Sequence, residues 1–348
     1  NMGFIARFRI RQMLREMRSA FAVVFGMFVS MLIVMMGLDI YVMCQNVNIE
    51  NKADTKFAYM YTYKYPTEEV PDGGEEAFGK MLKKERLGYN LDVTLLGIHD
   101  DNPYFDAKVE DGKNKIVIST AVAQKYNVGE GDVFVLNDEE TDTKYAFDIV
   151  GIAQYSSSLY IFMDIDSMRE LFHEGSDYYN IVFSDKDLSI PSGRLYATTT
   201  KEDVEEASGI FIKMMLPMIY MLLGCSVIIF CVVMYLMMKV MIDRSSFNIS
   251  LIKIFGYRTK EIGKLYLRGN FYLVAAGALI CIPLAKACMD AIYPMLVANV
   301  CSGMNLTFSW QLYAGIYAAV ILLYLFINQL LVGRLKKMVP AEVLKNRE

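Results

Sequence analysis

The sequence predicts a membrane protein of four transmembrane α-helices, one and then three, with an α+β extracytoplasmic domain inserted after the first. Three observations carry that expectation. Four apolar runs are each long enough to cross a hydrocarbon core of roughly 30 Å. The composition is 54% hydrophobic and 21% charged, too apolar for one soluble domain and too charged in its middle for a wholly embedded protein. The net charge of −4 hides an asymmetry. Asn46 to Ser208 holds 16 Lys/Arg against 32 Asp/Glu, whereas the rest holds 19 against 7. Basic flanks beside apolar runs are what the positive-inside rule produces, so the acidic middle is the translocated part.

Residues 1–19 form a basic cytosolic segment with Arg7, Arg9, Arg11, Arg15 and Arg18 against Glu16. The first span is placed at 20–45. It is too long for the apolar core of a secretory signal, and no small-residue cleavage site follows it. The chain begins at Asn1 rather than methionine, as a piece of a longer chain with two such modules would, while Met2 offers an alternative start. The extracytoplasmic domain occupies 46–208 and the second span 209–238. A cytosolic link at 239–269 carries Lys239, Arg244, Lys253, Arg258, Lys260, Lys264 and Arg268 against Asp243 and Glu261. The third span, 270–300, is interrupted by Pro283, Lys286, Asp290 and Pro294. A short outer loop at 301–309, the fourth span at 310–332 and a basic tail at 333–348 complete the chain. Both termini are then cytosolic.

Within the inserted domain, Phe57–Tyr65, Asp92–Ile98, Lys115–Ser119, Tyr160–Met163 and Tyr179–Ser184 read as strands. Val133 and Val135, then Tyr145, Phe147 and Ile149, alternate around a polar hairpin connection at Asp138–Asp142. Glu75–Lys84 suits a surface helix, as do Ala121–Tyr126, closed by Asn127 and Gly129, and Ile165–Phe172. Interleaved short strands and helices indicate an α+β domain.

In the cytosolic link, Leu251, Ile254 and Phe255 share one helical face while Lys253 points elsewhere, and Gly256 closes the helix before Tyr257. Such a helix either lies in the lipid headgroups or docks a cytosolic partner, and the second is the reading adopted. Lys286 and Asp290 stand one helical turn apart within the third span and can pair. Lys286 lies about 16 residues, roughly 24 Å of helix, beyond the cytosolic end. Both charges could therefore snorkel outward, so a structural or interfacial role is expected, with a transport role as the alternative.

Chemistry of other kinds finds no support. The chain lacks a G-x-x-x-x-G-K-[ST] loop, and Gly131-Asp132 is followed by neither lysine nor helix start at the needed spacing. His99 and His173 show no zinc-ligand spacing, and Asp138–Asp142 lacks the glycine and terminal glutamate of an EF-hand. No catalytic residue, metal site or nucleic-acid partner is expected. Cys225, Cys231, Cys281 and Cys288 fall in spans, and pairing of Cys44 with Cys301 is not expected. Met-rich spans suit adaptable packing or are simple apolar filler.

Four stretches, in order, carry a resemblance. Lys115–Leu136, with Gly129 and Gly131-Asp132, resembles the strand–helix–turn–strand run of a MacB-type periplasmic domain, and Phe147–Ile152 resembles its following strand. Ser246–Ile262 resembles the cytosolic stretch before the third span in FtsX/MacB-like (type VII) ABC transporter permeases, and Pro340–Leu344 resembles their tail. The resemblance implies a permease subunit of a bacterial cytoplasmic membrane that moves its extracytoplasmic domain using a separate cytosolic ABC ATPase. It implies that Leu251, Lys253, Ile254, Phe255, Gly256 and Tyr257 contact that ATPase, which binds the ATP and Mg; this chain itself takes no cofactor. A second permease module or a homodimer, membrane lipids and an extracytoplasmic protein are the further partners expected. Export of a hydrophobic compound or peptide, or antimicrobial-peptide resistance, is the leading function. A non-transporting subunit that activates a cell-wall hydrolase or releases lipoproteins is the alternative, and a receptor without an ATPase is a third reading. Residues 46–114 carry no resemblance.

Overall fold

The structure, a computed structural model, describes residues 17–65, 69–244, 254 and 259–337. Among these residues four helices are long and apolar enough to cross a membrane: α1 (Met17–Asp54) and, after the strand-rich segment, three more. The chain divides into two compact units, one holding 1–39, 218–291 and 307–348, the other 40–217 and 292–306.

The strand-rich unit holds nine strands among the described residues: β1 (Tyr59–Tyr63), β2 (Glu75–Arg86), β3 (Tyr89–Ile98), β4 (Lys115–Ser119), β5 (Val133–Asp138), β6 (Thr143–Ala153), β7 (Tyr160–Asp164), β8 (Ile181–Ser184) and β9 (Leu195–Thr200). Two short helices interrupt them, α2 (Thr120–Tyr126) and α3 (Ile165–Phe172). The sheet order is β3-β7-β4-β6-β5-β2-β8-β1-β9, and β2 also pairs with β3. That extra pairing closes six strands, β2-β3-β7-β4-β6-β5, on themselves. A closed ring leaves no free edge among those strands. The remaining three, β8, β1 and β9, extend from the first residues of β2, where Glu75–Ala77 pair with Phe183–Ile181.

One core, with Phe78, Leu82, Val93, Leu95, Ile116, Ile118, Phe134, Leu136, Phe147, Ile149 and Ile161, is roofed by Ala121, Val122, Ile165 and Met168 of the short helices. The opposite faces of β4 and β7, together with β8 and the connecting segments, supply a second, aromatic core of Phe57, Phe105, Tyr155, Phe162 and Phe183. This is strand alternation at work: Ile116 and Ile118 turn to one core and Val117 to the other. The local signals operate as chemistry requires. Ser119 Oγ accepts from the Val122 amide at 3.3 Å, and Asp164 accepts from the Ser167 amide at 2.8 Å, so each short helix has its N-cap. Asn127 and His173 close the same helices in the left-handed conformation.

One expected element is wrong. Glu75–Lys84, rich in Glu, Lys, Met and Leu, has the composition of a surface helix but is the first part of β2. Nine registered pairs to β3, from Phe78↔Gly97 to Arg86↔Tyr89, outweigh that modest propensity. Gly79 adds a specific reason, since its amide donates to Asn180 Oδ1 at 2.7 Å and a Cβ there would meet Ile181 Cδ1 at 2.5 Å.

The helical unit contains the first part of α1 and most of α4 (Lys201–Arg244), α5 (Thr259–Leu296) and α6 (Trp310–Lys337). α1 runs on past residue 45 to Asp54, and α4 begins at Lys201 rather than 209. The division between units falls at Pro217, inside α4, where a proline removes one helical hydrogen bond. Each helix buries a stripe at steps of three or four residues: Met27, Met31 and Met35 on α1; Phe230, Met234 and Met238 on α4; Val274, Ala278, Ile282 and Ala285 on α5; Ile316, Val320 and Tyr324 on α6. Small residues set the closest approaches. A Cβ on Gly26 would stand 2.3 Å from Val233 Cγ1, and one on Gly277 would stand 2.6 Å from Met27 Cε.

Candidate functional site

In the helical unit an apolar bundle surrounds three charges. Lys286, on α5, is buried, and its Nζ donates to Asp39 Oδ1 of α1 at 2.9 Å and to Asp290 Oδ1 one turn along its own helix. The ammonium also stands 4.3 Å from the centroid of the Phe308 ring, within cation–π range. Lys286 therefore does not snorkel outward; it is held in place by two carboxylates and an aromatic face. The carboxylates differ. The Asp290 side chain is 46% exposed and that of Asp39 is 0% exposed. Among the described residues Asp39 Oδ2 has no hydrogen-bond partner.

Reading the sequence located Lys286 and Asp290 but missed Asp39. The signal was present, since Asp39 is the only charged residue in the apolar run from Ala20 to Met43. What spacing could not supply was the partner, which lies 247 residues away.

The cytosolic stretch expected to meet an ATPase falls almost wholly outside the described residues, namely Leu251, Lys253, Phe255, Gly256 and Tyr257. Ile254 alone is described, as a helical residue 56% exposed.

The strand-rich unit holds charged groups of its own. Lys125 of α2 is fully buried, and its Nζ donates to the Val297 carbonyl at 2.6 Å. Burial, reinforced by the positive charge of Arg86, pushes the Lys125 ammonium down to about 8. Arg169 of α3, also buried, donates to Glu76 Oε1 and Asp166 Oδ1, each at 3.0 Å, and His99 Nε2 approaches the same Glu76 oxygen at 3.1 Å. His173 is a helix cap. Of the Asp138–Asp142 segment, Asp138 ends β5 and the next four residues connect it to β6, and Asp138 pairs with Lys80 at 3.1 Å. Among the described residues no three His, Cys, Asp or Glu side chains are grouped to hold a metal ion. Cys44 is a buried free thiol and Cys301 an exposed one.

Comparison with known proteins adds to this geometry. No curated protein matches the chain. Among solved structures, the extracellular domain of the noncanonic ABC-type transporter YknZ from Gram-positive bacteria aligns at 15% identity with a TM-score of 0.26, over 42% of this chain and 99% of that one. Residues 220–340 match the model of the FtsX-like permease C-terminal domain, and so take in nearly all of the helical unit after Pro217, Lys286 and Asp290 included. Over those residues the chain is similar to the C-terminal domain of FtsX-like permeases.

Proposed function

We propose that this chain is the transmembrane subunit of an ABC transporter, in which a separate cytosolic ATPase drives movement of the extracytoplasmic domain and so extrudes a hydrophobic compound or peptide. The observation that carries the reading is the order of parts: one apolar helix, a strand-rich insertion, then three apolar helices within an FtsX-like permease match. In this reading ATP and Mg belong to the ATPase. The apolar face of Leu251, Ile254 and Phe255 enters a groove on it, and Lys253 and Arg258 at the rim assist association. The basic flanks keep both termini in the cytosol of a bacterial inner membrane, and a second module or second copy completes the translocating unit.

Affinity purification of the tagged chain from its native membrane tests the proposal. Recovery of an ABC ATPase, with ATP-dependent export of an apolar peptide from vesicles, is the expected result. Recovery of the ATPase with ATP-dependent stimulation of a cell-wall hydrolase, and no export, would replace transport by mechanical signalling. A preparation without any ATPase would overturn both readings.

A further inference from the structure

Asp39 is a fully buried carboxylate in an apolar bundle, and among the described residues only one of its oxygens is hydrogen-bonded. Among the described residues the charged groups facing it are Lys286 and Asp290, both on α5. On α4, Leu222 and Leu223 pack at Gly37, two residues before Asp39. One ammonium therefore serves two carboxylates, and with all three ionised the cluster carries one surplus negative charge. A surplus buried charge costs far more than a buried neutral group. Of the two carboxylates, Asp290 is half-exposed and Asp39 is fully buried, and among the described residues it is Asp39 Oδ2 that lacks a compensating hydrogen bond.

From this arrangement we infer that Asp39 is a proton-binding site of the membrane bundle, and that the proton sets how firmly α1 is tied to α5. With the proton on Oδ2, the cluster is neutral: Lys286 keeps a full ion pair with Asp290 on its own helix and a weaker hydrogen bond to the Asp39 carbonyl oxygen. When the proton leaves, Lys286 becomes a charged bridge between the two helices. The transfer is a simple exchange, a proton moving between solvent and a carboxylate oxygen. A metal cation is a poorer occupant. It would need several oxygen ligands and would sit beside an ammonium already 2.9 Å from the same carboxylate. The inference does not depend on the ATPase or on what is exported.

Infrared difference spectroscopy on the full chain in lipid nanodiscs tests it, because a protonated carboxyl has a carbonyl stretch that an ionised one lacks. Lowering the pH from alkaline to mildly acidic should produce such a band in the wild type, and labelling aspartate at its side-chain carboxyl carbon with carbon-13 should shift it. The band should vanish in Asp39→Asn and persist in Asp290→Asn. A wild type without an aspartic carbonyl band over that range overturns the inference, whatever the variants do. So does a band that survives Asp39→Asn, or one lost only in Asp290→Asn.

Discussion

Replacing Lys125 by methionine isolates what one buried ammonium does to the strand-rich unit. The folded chain releases this proton at about pH 8, whereas an unfolded lysine holds it to about 10.4. Between those values the unfolded state binds more protons, so stability rises with pH there, and the cost is fully present below about pH 8. The shift corresponds to about 3 kcal/mol at most. Denaturant unfolding of the full chain, followed by exchange of α2 and β4 amides, should show a steeper rise from pH 8 to 10 in wild type than in Lys125→Met. At neutral pH the variant should be as stable as wild type or more so, because an apolar side chain of similar length carries no charge to desolvate. Parallel pH profiles would mean that water reaches the ammonium.

At the scale of elements, close helix contacts and caps carry separable predictions. Gly26→Ala should lower the stability of the helical unit by about 1–3 kcal/mol, since the new methyl meets the stiff Val233 side chain. Gly277→Ala should cost less, because the atom it meets is the mobile end of Met27. Thermal unfolding in detergent ranks the two, and the reverse order would show that the glycines do not set these approaches. Ser119→Ala and Asp164→Ala should each remove about 1 kcal/mol through their caps, read by the same method.

Much of this level was legible from residues. The four apolar helices announce themselves by length, and the β5–β6 hairpin by alternation around an acidic turn. Asn127 was readable as a helix stop because its type tolerates the left-handed conformation. Two things were not legible. Glu75–Lys84 carries helix-forming residues, and only pairing with strands far along the chain makes it β2. Lys286 donates a hydrogen bond to Asp39 across 247 residues, which no local pattern records. Both failures concern partners that the fold supplies.

For the whole molecule, the proposed arrangement across the membrane makes an accessibility prediction. In a chain with exposed Cys301 changed to serine, a membrane-impermeant thiol reagent should label Thr141→Cys, in the β5–β6 connection, from outside intact cells. It should not label Tyr257→Cys until the membrane is opened. Labelling of Tyr257→Cys in intact cells would overturn the four-span topology.

The central claim, that this chain is driven by a separate ATPase through its cytosolic link, meets its most direct test in the amount of ATPase that co-purifies per permease. Wild type is compared with Phe255→Ala and Leu251→Asp at equal expression. Apolar anchors dominate small interfaces, and losing one commonly costs about 2 kcal/mol or more, roughly thirtyfold in affinity. Both variants should therefore insert and fold normally yet lose most of the ATPase. A helix lying in the headgroups predicts no loss, and a full complement of ATPase on both variants would contradict the account.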